Sequence, residues 1–285
     1  MPARFQERID RIVARRKSLL CVGLDPDPAR MPKPLGAGAS AAGLRRFNDG
    51  LLRATLPFAA AYKMQLACYL RYGAAGIAEL ARLTRRIGPE WIRILDLKAN
   101  DIPNIMGMYR DGAFRSLGFD AITVSPWLGW ETLVPLSEDA RHGFFVVAHS
   151  SNPGSQDFQE IPTPRGPLWQ AVVGEVRAVA ARTGNAGVVV GATYVDAVRI
   201  SRQILGNGVP ILVPGVGAQG GALSTTVREG VDARGRALLI SASRSIIYAS
   251  TGADWARAAR REAERLSVQI NQLREGIGTT RAAPR

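Results

Sequence analysis

The amino-acid sequence predicts an α/β fold, a (β/α)₈ TIM barrel built as a single domain. Eight short apolar runs alternate along the chain with longer stretches of helical periodicity. Most of these runs are continuously apolar, which is typical of parallel strands buried on both faces. A length of 285 residues suits one such barrel. Because strand count alone does not prove closure, a doubly wound open sheet is the second possibility.

The predicted elements follow one another in a simple order. Apolar positions within residues 5–13 fall on one face, so an amphipathic helix should precede the first strand. Strands are predicted at residues 19–24, 58–64, 92–97, 121–124, 144–148, 187–190, 210–213 and 237–240. Helices are predicted at residues 106–117, 168–182, 194–205, 219–229 and about 255–273. We therefore expect one barrel domain over residues 1–275, with a flexible tail at residues 276–285.

Two long loops stand out in this order. Residues 25–43 and 150–167 are rich in glycine, proline, serine and asparagine, and each follows a predicted strand. Loops after barrel strands build the active face, so both segments are candidates for lids over a site.

The charge balance is basic, with a formal net charge of +13. The positive residues are scattered singly and in pairs, without the long basic run expected of a nucleic-acid surface. We favour a solvated basic surface that also attracts an anionic small molecule. No apolar run is long enough to span a bilayer, and the first residues do not resemble a signal peptide. Cys21 and Cys68 lie in apolar runs, which indicates core packing without disulfides and a cytoplasmic location.

The positions of the few lysines indicate function more specifically than the net charge does. Nearly all of the positive charge is arginine, and the four lysines are Lys17, Lys33, Lys63 and Lys98. Lys63 and Lys98 lie within apolar, strand-like segments. An arginine holds its proton too tightly to donate it, whereas a lysine can be tuned as an acid or base. These two lysines are therefore candidate catalytic groups.

Charged residues cluster where the first three strands end. Asp25 follows the first strand, Lys63 ends the second, Asp96 and Lys98 end the third, and Asp101 comes three residues later. Residues i and i+2 of a strand face the same side, so the third strand should present its aspartate and lysine together. A structural ion pair is the alternative. We favour a catalytic cluster because a buried ion pair contributes little net stability.

A second pattern points to an anion. The segment PGVGAQGG at residues 214–221 follows the seventh strand, and its glycines, Gly217 among them, let backbone N–H groups approach a phosphate. Arg244 follows the eighth strand, and barrels commonly hold phosphate between the loops after these two strands. A surface salt bridge is the alternative role for Arg244.

The segment SSNPGS at residues 150–155 carries hydroxyls and an amide, which suit a neutral polar ring, although these residues also favour turns. His149 precedes it and could be a general base, but we favour a structural role. The sequence has no metal-ligand spacing, Walker A motif or dinucleotide fingerprint, so we expect neither a metal nor a cofactor.

Together these stretches resemble the orotidine 5′-monophosphate decarboxylase family, in its longer bacterial branch. The matching segments are CVGLDPDP (21–28), AYKMQLA (61–67), ILDLKANDI (94–102), SNPG (151–154), VGAT (190–193), LVPGVGAQGG (212–221) and SR (243–244). They run in family order over roughly residues 19–250, and the Asp-x-Lys-x-x-Asp motif is specific to the superfamily.

The resemblance implies a reaction and a catalytic set. The reaction converts orotidine 5′-phosphate (OMP) into UMP and CO₂, the last step of de novo UMP synthesis, without a cofactor. Lys63, Asp96, Lys98 and Asp101 would form an alternating charge network, with Lys98 as the proton donor. Asp101 would come from the other subunit of a homodimer.

The resemblance also implies the groups that bind the substrate. Asp25 would bind the ribose hydroxyls, and Ser151 would contact the pyrimidine amide. Gln219 and Arg244 would hold the phosphate, beside the glycine-rich turn that contains Gly217.

The sequence departs from the family pattern at a few positions. Ala99 and Asn100 stand where the branch usually has Arg-Gly, Ser125 where asparagine is common, and Ser150 where threonine is common. The helix after Lys63 lacks a frequent acidic residue. These departures remove no named catalytic group, but they suggest a divergent member with altered substrate or inhibitor tolerance.

Other functions stay open at this point. A sugar-phosphate decarboxylase or aldolase of the same superfamily would require Mg²⁺. A non-catalytic nucleotide-binding paralogue would be expected to lack a key charged residue, and none is missing. A nucleic-acid binder would need a steeply salt-dependent interaction.

Overall fold

The computed structural model describes residues 3–35, 40–215 and 220–281. Eight parallel strands form a closed barrel, in which β1 pairs with both β2 and β8. The strands are β1 (Leu20–Gly23), β2 (Ala61–Gln65), β3 (Ile92–Ala99), β4 (Ala121–Val124), β5 (Gly143–His149), β6 (Ala186–Val190), β7 (Ile211–Pro214) and β8 (Leu238–Ala242). The prediction of a TIM barrel is confirmed, and closure excludes the open sheet.

Helices cover the outside of the barrel and close its ends. They are α1 (Phe5–Arg16), α2 (Ala41–Thr55), α3 (Leu66–Leu70), α4 (Gly73–Ile87), α5 (Pro103–Arg110), α6 (Val134–Ser137), α7 (Leu168–Thr183), α8 (Val195–Leu205), α9 (Gly220–Gly230), α10 (Arg244–Ile247) and α11 (Trp255–Arg281). No described helix is both long enough and apolar enough to cross a membrane.

The predicted helix at residues 106–117 is divided in the structure into an α-helix and a π-helical segment. Helix α5 begins earlier, because Ile102 takes an extended conformation and Pro103 occupies the first helical turn, where proline is well tolerated. A π-helical segment, Asp111–Ser116, completes the stretch. At the other end of the chain, α11 extends beyond the predicted limit to Arg281, and residues 282–285 lie outside the described part. A flexible tail at residues 276–285 therefore stays a prediction.

Helix α1 closes the amino-terminal end of the barrel, which we call the floor. Its Phe5 is fully buried and packs edge-on against Phe145, with ring centroids 5.9 Å apart. The absence of a side chain at Gly143 makes room for this ring, since a Cβ there would lie 2.0 Å from Phe5. The predicted amphipathic helix is therefore the element that closes the amino-terminal end of the barrel.

The loops at the carboxyl-terminal end, the mouth, are anchored to neighbouring elements. After β1, the backbone N–H of Asp27 donates to the Tyr248 hydroxyl at 2.5 Å, and the Arg30 guanidinium lies over the same ring. After β5, residues 150–167 form a 3₁₀ turn and a two-stranded hairpin, Pro162–Thr163 with Gly166–Pro167. The described parts of both predicted lid segments therefore lie at the end of the barrel where a site is expected.

The two cysteines are unpaired. Cys21 is buried inside the barrel, where burial raises the pKa of its thiol to about 12. Cys68 is half-buried on α3, with its thiol pKa raised by burial to about 11. Both thiols therefore stay protonated and unreactive at neutral pH, in agreement with the prediction of packing residues.

Candidate active site

Four of the predicted charges meet at the mouth. The Nζ atom of Lys63 lies 2.9 Å from Oδ2 of Asp96 and 3.6 Å from Oδ2 of Asp25. On the other side of the same carboxylate, Nζ of Lys98 lies 2.7 Å from Oδ1 of Asp96. The order Asp25, Lys63, Asp96, Lys98 alternates in sign, so each ammonium is adjacent to a carboxylate.

The inner part of this network is buried and fully charged. Burial alone would raise the pKa of the Asp96 carboxyl, but Lys63 and Lys98 outweigh burial and lower it to about 2. Burial alone would lower the pKa of the Lys63 ammonium, but Asp25 and Asp96 reverse this, and the net direction is upward. At neutral pH, the carboxylate and the ammonium therefore both carry their charges.

Lys98 differs from Lys63 in exposure. The Lys98 side chain is 50% exposed, whereas that of Lys63 is 8% exposed. Lys63 is enclosed by two carboxylates. Lys98 pairs with one described carboxylate and half of its side chain is exposed, so its ammonium is the more accessible of the two.

The backbone at Lys98 does not follow regular strand geometry. Its φ is +50°, in the left-handed region, and the pairing of β3 with β4 shifts register between Leu95 and Ala99. The expected alternation of i and i+2 is therefore interrupted at the position where the side chain must turn toward Asp96. Such strain persists only where surrounding contacts impose it.

Thr123 on β4 provides those contacts, and the sequence analysis missed it. Its buried hydroxyl accepts hydrogen bonds from the backbone N–H groups of Leu97 and Lys98, at 3.1 and 3.0 Å. The same hydroxyl donates to Oδ1 of Asp96 at 2.8 Å. One side chain thus fixes both the bulge and the carboxylate. A threonine inside a strand is ordinary, so no local signal distinguishes it.

Asp101 is not brought to the other charges within the chain. Its carboxylate accepts a hydrogen bond from the N–H of Ile102, and it makes no ion pair with Lys63 or Lys98 in the described structure. The neighbouring Asn100 accepts a hydrogen bond from the N–H of Leu128, which ties the loop after β3 to the loop after β4. Asp101 is thereby left at the rim of the mouth.

A polar cavity of about 350 Å³ lies beside the charge network. Asp25, Lys63, Ser151 and Arg244 all line it, together with backbone of Pro214 and Gly215 and the segment after β8. The positions predicted after four different strands therefore converge on one space, and Lys98 joins them through Asp96. The predicted phosphate residues Gly217 and Gln219 lie outside the described residues.

The part of the cavity near β7 and β8 suits an anion. Arg244 is exposed, at the first position of α10, and forms no ion pair with any described carboxylate. Gly23 lets the chain after β8 approach closely, since a Cβ there would lie 2.5 Å from Cβ of Ser243. An available guanidinium at the mouth of a barrel is a natural ligand for a phosphate.

Asp25 is fixed by the neighbouring strand. Its Oδ1 accepts a hydrogen bond from the N–H of Gln65 at 3.0 Å, and its Oδ2 faces Lys63. Just before it, the carbonyl of Leu24 accepts a hydrogen bond from the buried Tyr69 hydroxyl. A carboxylate held in this way can accept hydrogen bonds from hydroxyl groups of a ligand.

His149 lies apart from this cavity. It is fully buried and bonded to Glu160, so the structure agrees with a structural rather than a general-base position. Among the described residues, no group of three or more His, Cys, Asp or Glu side chains could hold a metal ion. The chemistry that these residues offer is a reachable ammonium, fixed by a carboxylate, beside an anion-binding pocket.

Comparisons with known proteins agree on one family. Residues 18–260 match the family described as Orotidine 5′-phosphate decarboxylase / HUMPS family. Orotidine 5′-phosphate decarboxylase of Thermomicrobium roseum is 42% identical over 275 residues, which cover 96% of this chain and 97% of the relative. The enzyme of that name from Ralstonia pickettii is 40% identical over 273 residues, covering 95% and 99%.

Solved structures show the same architecture over nearly the whole chain. The structure of Leishmania donovani OMP decarboxylase has a TM-score of 0.82 at 32% identity and covers 96% of this chain and 99% of that one. A crystal structure from Toxoplasma gondii has a TM-score of 0.87 at 30% identity, with coverage of 97% and 99%. The chain belongs to the orotidine 5′-phosphate decarboxylase / HUMPS family.

Proposed function

We propose that this protein is an orotidine 5′-phosphate decarboxylase, a carboxy-lyase that converts OMP into UMP and CO₂. The observation that carries the proposal is the alternating network Asp25–Lys63–Asp96–Lys98, in which Lys98 has the more exposed ammonium. The names of the near-full-length relatives support the same reaction.

In the proposed reaction, the bond between the ring carbon and the carboxylate breaks. Its electron pair stays on the ring carbon, and CO₂ leaves. The Lys98 ammonium stabilises the developing carbanion and then transfers a proton to that carbon, which yields UMP. Solvent restores the proton on Lys98. No cofactor takes part in these steps.

Asp96 and Lys63 prepare the donor. The Asp96 carboxylate holds the Lys98 ammonium at 2.7 Å, and Lys63 keeps that carboxylate ionised in a buried position. A carboxylate at this place would also repel the substrate carboxylate, which disfavours the bound substrate relative to the transition state. The network thus supplies fixed charges before the substrate arrives.

The remaining groups would bind three different parts of the substrate. Arg244 would hold the phosphate together with Gln219 and the glycine-rich turn at Gly217. Asp25 would accept hydrogen bonds from the ribose hydroxyls, and Ser151 would contact the pyrimidine amide. The net charge of +13 favours the approach of this anionic substrate.

We further propose that the enzyme acts as a homodimer in which Asp101 completes the network of the other subunit. Large apolar side chains are exposed around this aspartate, which is characteristic of a protein interface. They are Ile102 at 54%, Met108 at 65%, Tyr109 at 39%, Trp127 at 65% and Leu128 at 46% exposed. Pairing of two such surfaces would bury them and place each Asp101 at a neighbouring mouth.

We also propose where in the cell the reaction takes place. UMP formation is the last step of de novo pyrimidine nucleotide synthesis, and we place it in the cytoplasm, where unpaired cysteines such as Cys21 and Cys68 stay reduced.

The decisive experiment follows the ultraviolet absorbance of OMP with purified protein in excess chelator. We expect turnover that is independent of added Mg²⁺, since the proposed steps use only side chains of the chain. Absence of turnover would refute the function. Activity that appears only with Mg²⁺, on a sugar phosphate, would instead favour a decarboxylase or aldolase of the same superfamily.

A further inference from the structure

The loop that carries Ser151 lies largely at the surface. Ser151 is the second residue after β5, and most residues from 151 to 158 are exposed. Ser151 nevertheless lines the cavity, and the absence of a side chain at Gly191 lets it lie against the strand, since a Cβ there would be 2.7 Å from the Ser151 backbone. A contact that depends on this serine needs a device that fixes the loop.

Two consecutive residues at the far end of the loop, Gln159 and Glu160, hold the backbone of Ser150 in place. The backbone N–H of Ser150 donates to Oε1 of Gln159 at 2.8 Å. Its carbonyl oxygen lies 3.1 Å from Nδ1 of His149, whose other ring nitrogen, Nε2, lies 2.6 Å from Oε1 of Glu160. The peptide groups on both sides of Ser150 are therefore tied to residues 159 and 160.

The His149–Glu160 pair is built to be rigid. His149 is fully buried, with the Tyr194 ring at 4.3 Å and the Trp169 ring edge-on at 5.6 Å. The Ser150 carbonyl lies against one ring nitrogen and the Glu160 carboxylate against the other, so the two contacts together fix the orientation of the ring. Removing that carboxylate would weaken both contacts at once, including the one to Ser150.

We propose that His149 and Glu160 are positioning residues that hold Ser151 in place for the substrate ring. The inference rests on the proposed function, because the role of Ser151 is binding the pyrimidine. Neither residue touches the reacting atoms. Their effect should appear as weaker substrate binding, transmitted through the backbone of Ser150.

A double-mutant cycle on Glu160 and Ser151 tests this. Glu160→Ala should raise KM for OMP by up to about tenfold, the effect of losing one neutral hydrogen bond between Ser151 and the pyrimidine amide, and lower kcat less. In a Ser151→Ala background, the same change should raise KM by less than about twofold, since the contact it supports is already gone. Asp157→Ala, which removes an exposed carboxylate of the same loop, is the matched control and should leave KM unchanged.

The outcomes separate the alternatives. Equal KM increases from Glu160→Ala in both backgrounds would overturn the inference, because a merely structural role acts independently of Ser151. Glu160→Leu keeps most of the side-chain volume but removes the hydrogen-bond acceptor, and it takes the place of the alanine variant if that variant does not fold. A wild-type protein without turnover of OMP would refute the proposed function and the inference with it, whereas an active wild type with additive losses would refute the inference alone.

Discussion

Each end of the barrel carries a network of carboxylates and cationic side chains. The two networks differ in how completely their charged groups are surrounded by partners. At the floor, Asp120 accepts hydrogen bonds from Arg8 and from the backbone and guanidinium nitrogens of Arg93, at 2.6 to 2.9 Å. At the mouth, Lys98 pairs with Asp96 and with no other carboxylate of the described residues, and it is half exposed. The floor network is closed, whereas the mouth network has one open position.

We therefore expect the floor network to contribute to stability and the mouth network to contribute to turnover. A closed network of charges anchors α1 to the strands and leaves nothing for a ligand to bind. An open network costs energy to hold together and, under the proposed function, keeps a charged donor available for the substrate. Substitutions at the floor should therefore change unfolding, and substitutions at the mouth should change turnover.

The largest effect is expected for Lys98→Ala. Losing the group that stabilises the carbanion and donates its proton should lower kcat by about 10⁴-fold or more. The unfolding temperature should hardly change, because the side chain is half exposed. The measurement is single-turnover decay of OMP absorbance beside a thermal melt, with Lys33→Ala, at an exposed lysine, as the matched control. Full activity of Lys98→Ala would refute its role.

The opposite pattern is expected for Asp120→Asn at the floor. Breaking this buried pair should lower the free energy of unfolding by about 3 kcal/mol at neutral pH, with kcat per folded molecule unchanged. Burial would raise the pKa of the Asp120 carboxyl, but Arg93 and Arg8 hold it below its ordinary value. Its stabilisation is thus fully present above about pH 4 and is lost on acidification.

Denaturant titrations at several pH values would check this. The difference between wild type and Asp120→Asn should shrink as the pH falls below about 4. A loss of kcat equal to the loss of stability would mean that the two ends are coupled, contrary to the comparison.

A smaller effect is expected for Thr123→Val at the mouth. The change keeps the shape but removes the hydroxyl that bonds Asp96 and the N–H groups of Leu97 and Lys98. We expect kcat to fall by about 10- to 100-fold, the effect of leaving buried polar groups unpaired, and Thr123→Ser to restore most of it. Steady-state kinetics of both variants would decide. An unaffected Thr123→Val would show that the bulge is held by other contacts.

The fold could be predicted from the sequence because buried parallel strands leave continuous apolar runs, and those runs were located within a few residues. The charges at the mouth could be predicted because they are rare among apolar neighbours. Thr123 and Glu160 could not. Each acts on a residue distant in the chain, through hydrogen bonds that exist only after β4 and the β5 loop are in place. A local sequence pattern therefore cannot predict such contacts.

The structure also changes the reason for one prediction. Asp96 and Lys98 meet as expected, but through a left-handed residue in a bulge rather than through regular alternation of a strand. Asp101, placed in the same motif, remains apart from them within one chain. This separation within one chain is what the proposed shared site requires.

The most direct test of a catalytic centre shared between two chains is the activity of a mixture of Lys98→Ala and Asp101→Ala. Each variant alone should be nearly inactive. If Asp101 acts in the partner's mouth, an exchanged heterodimer has one intact site, and an equal mixture should recover about a quarter of the wild-type rate. A mixture as inactive as its components would contradict the shared site and would place Asp101 in the mouth of its own chain.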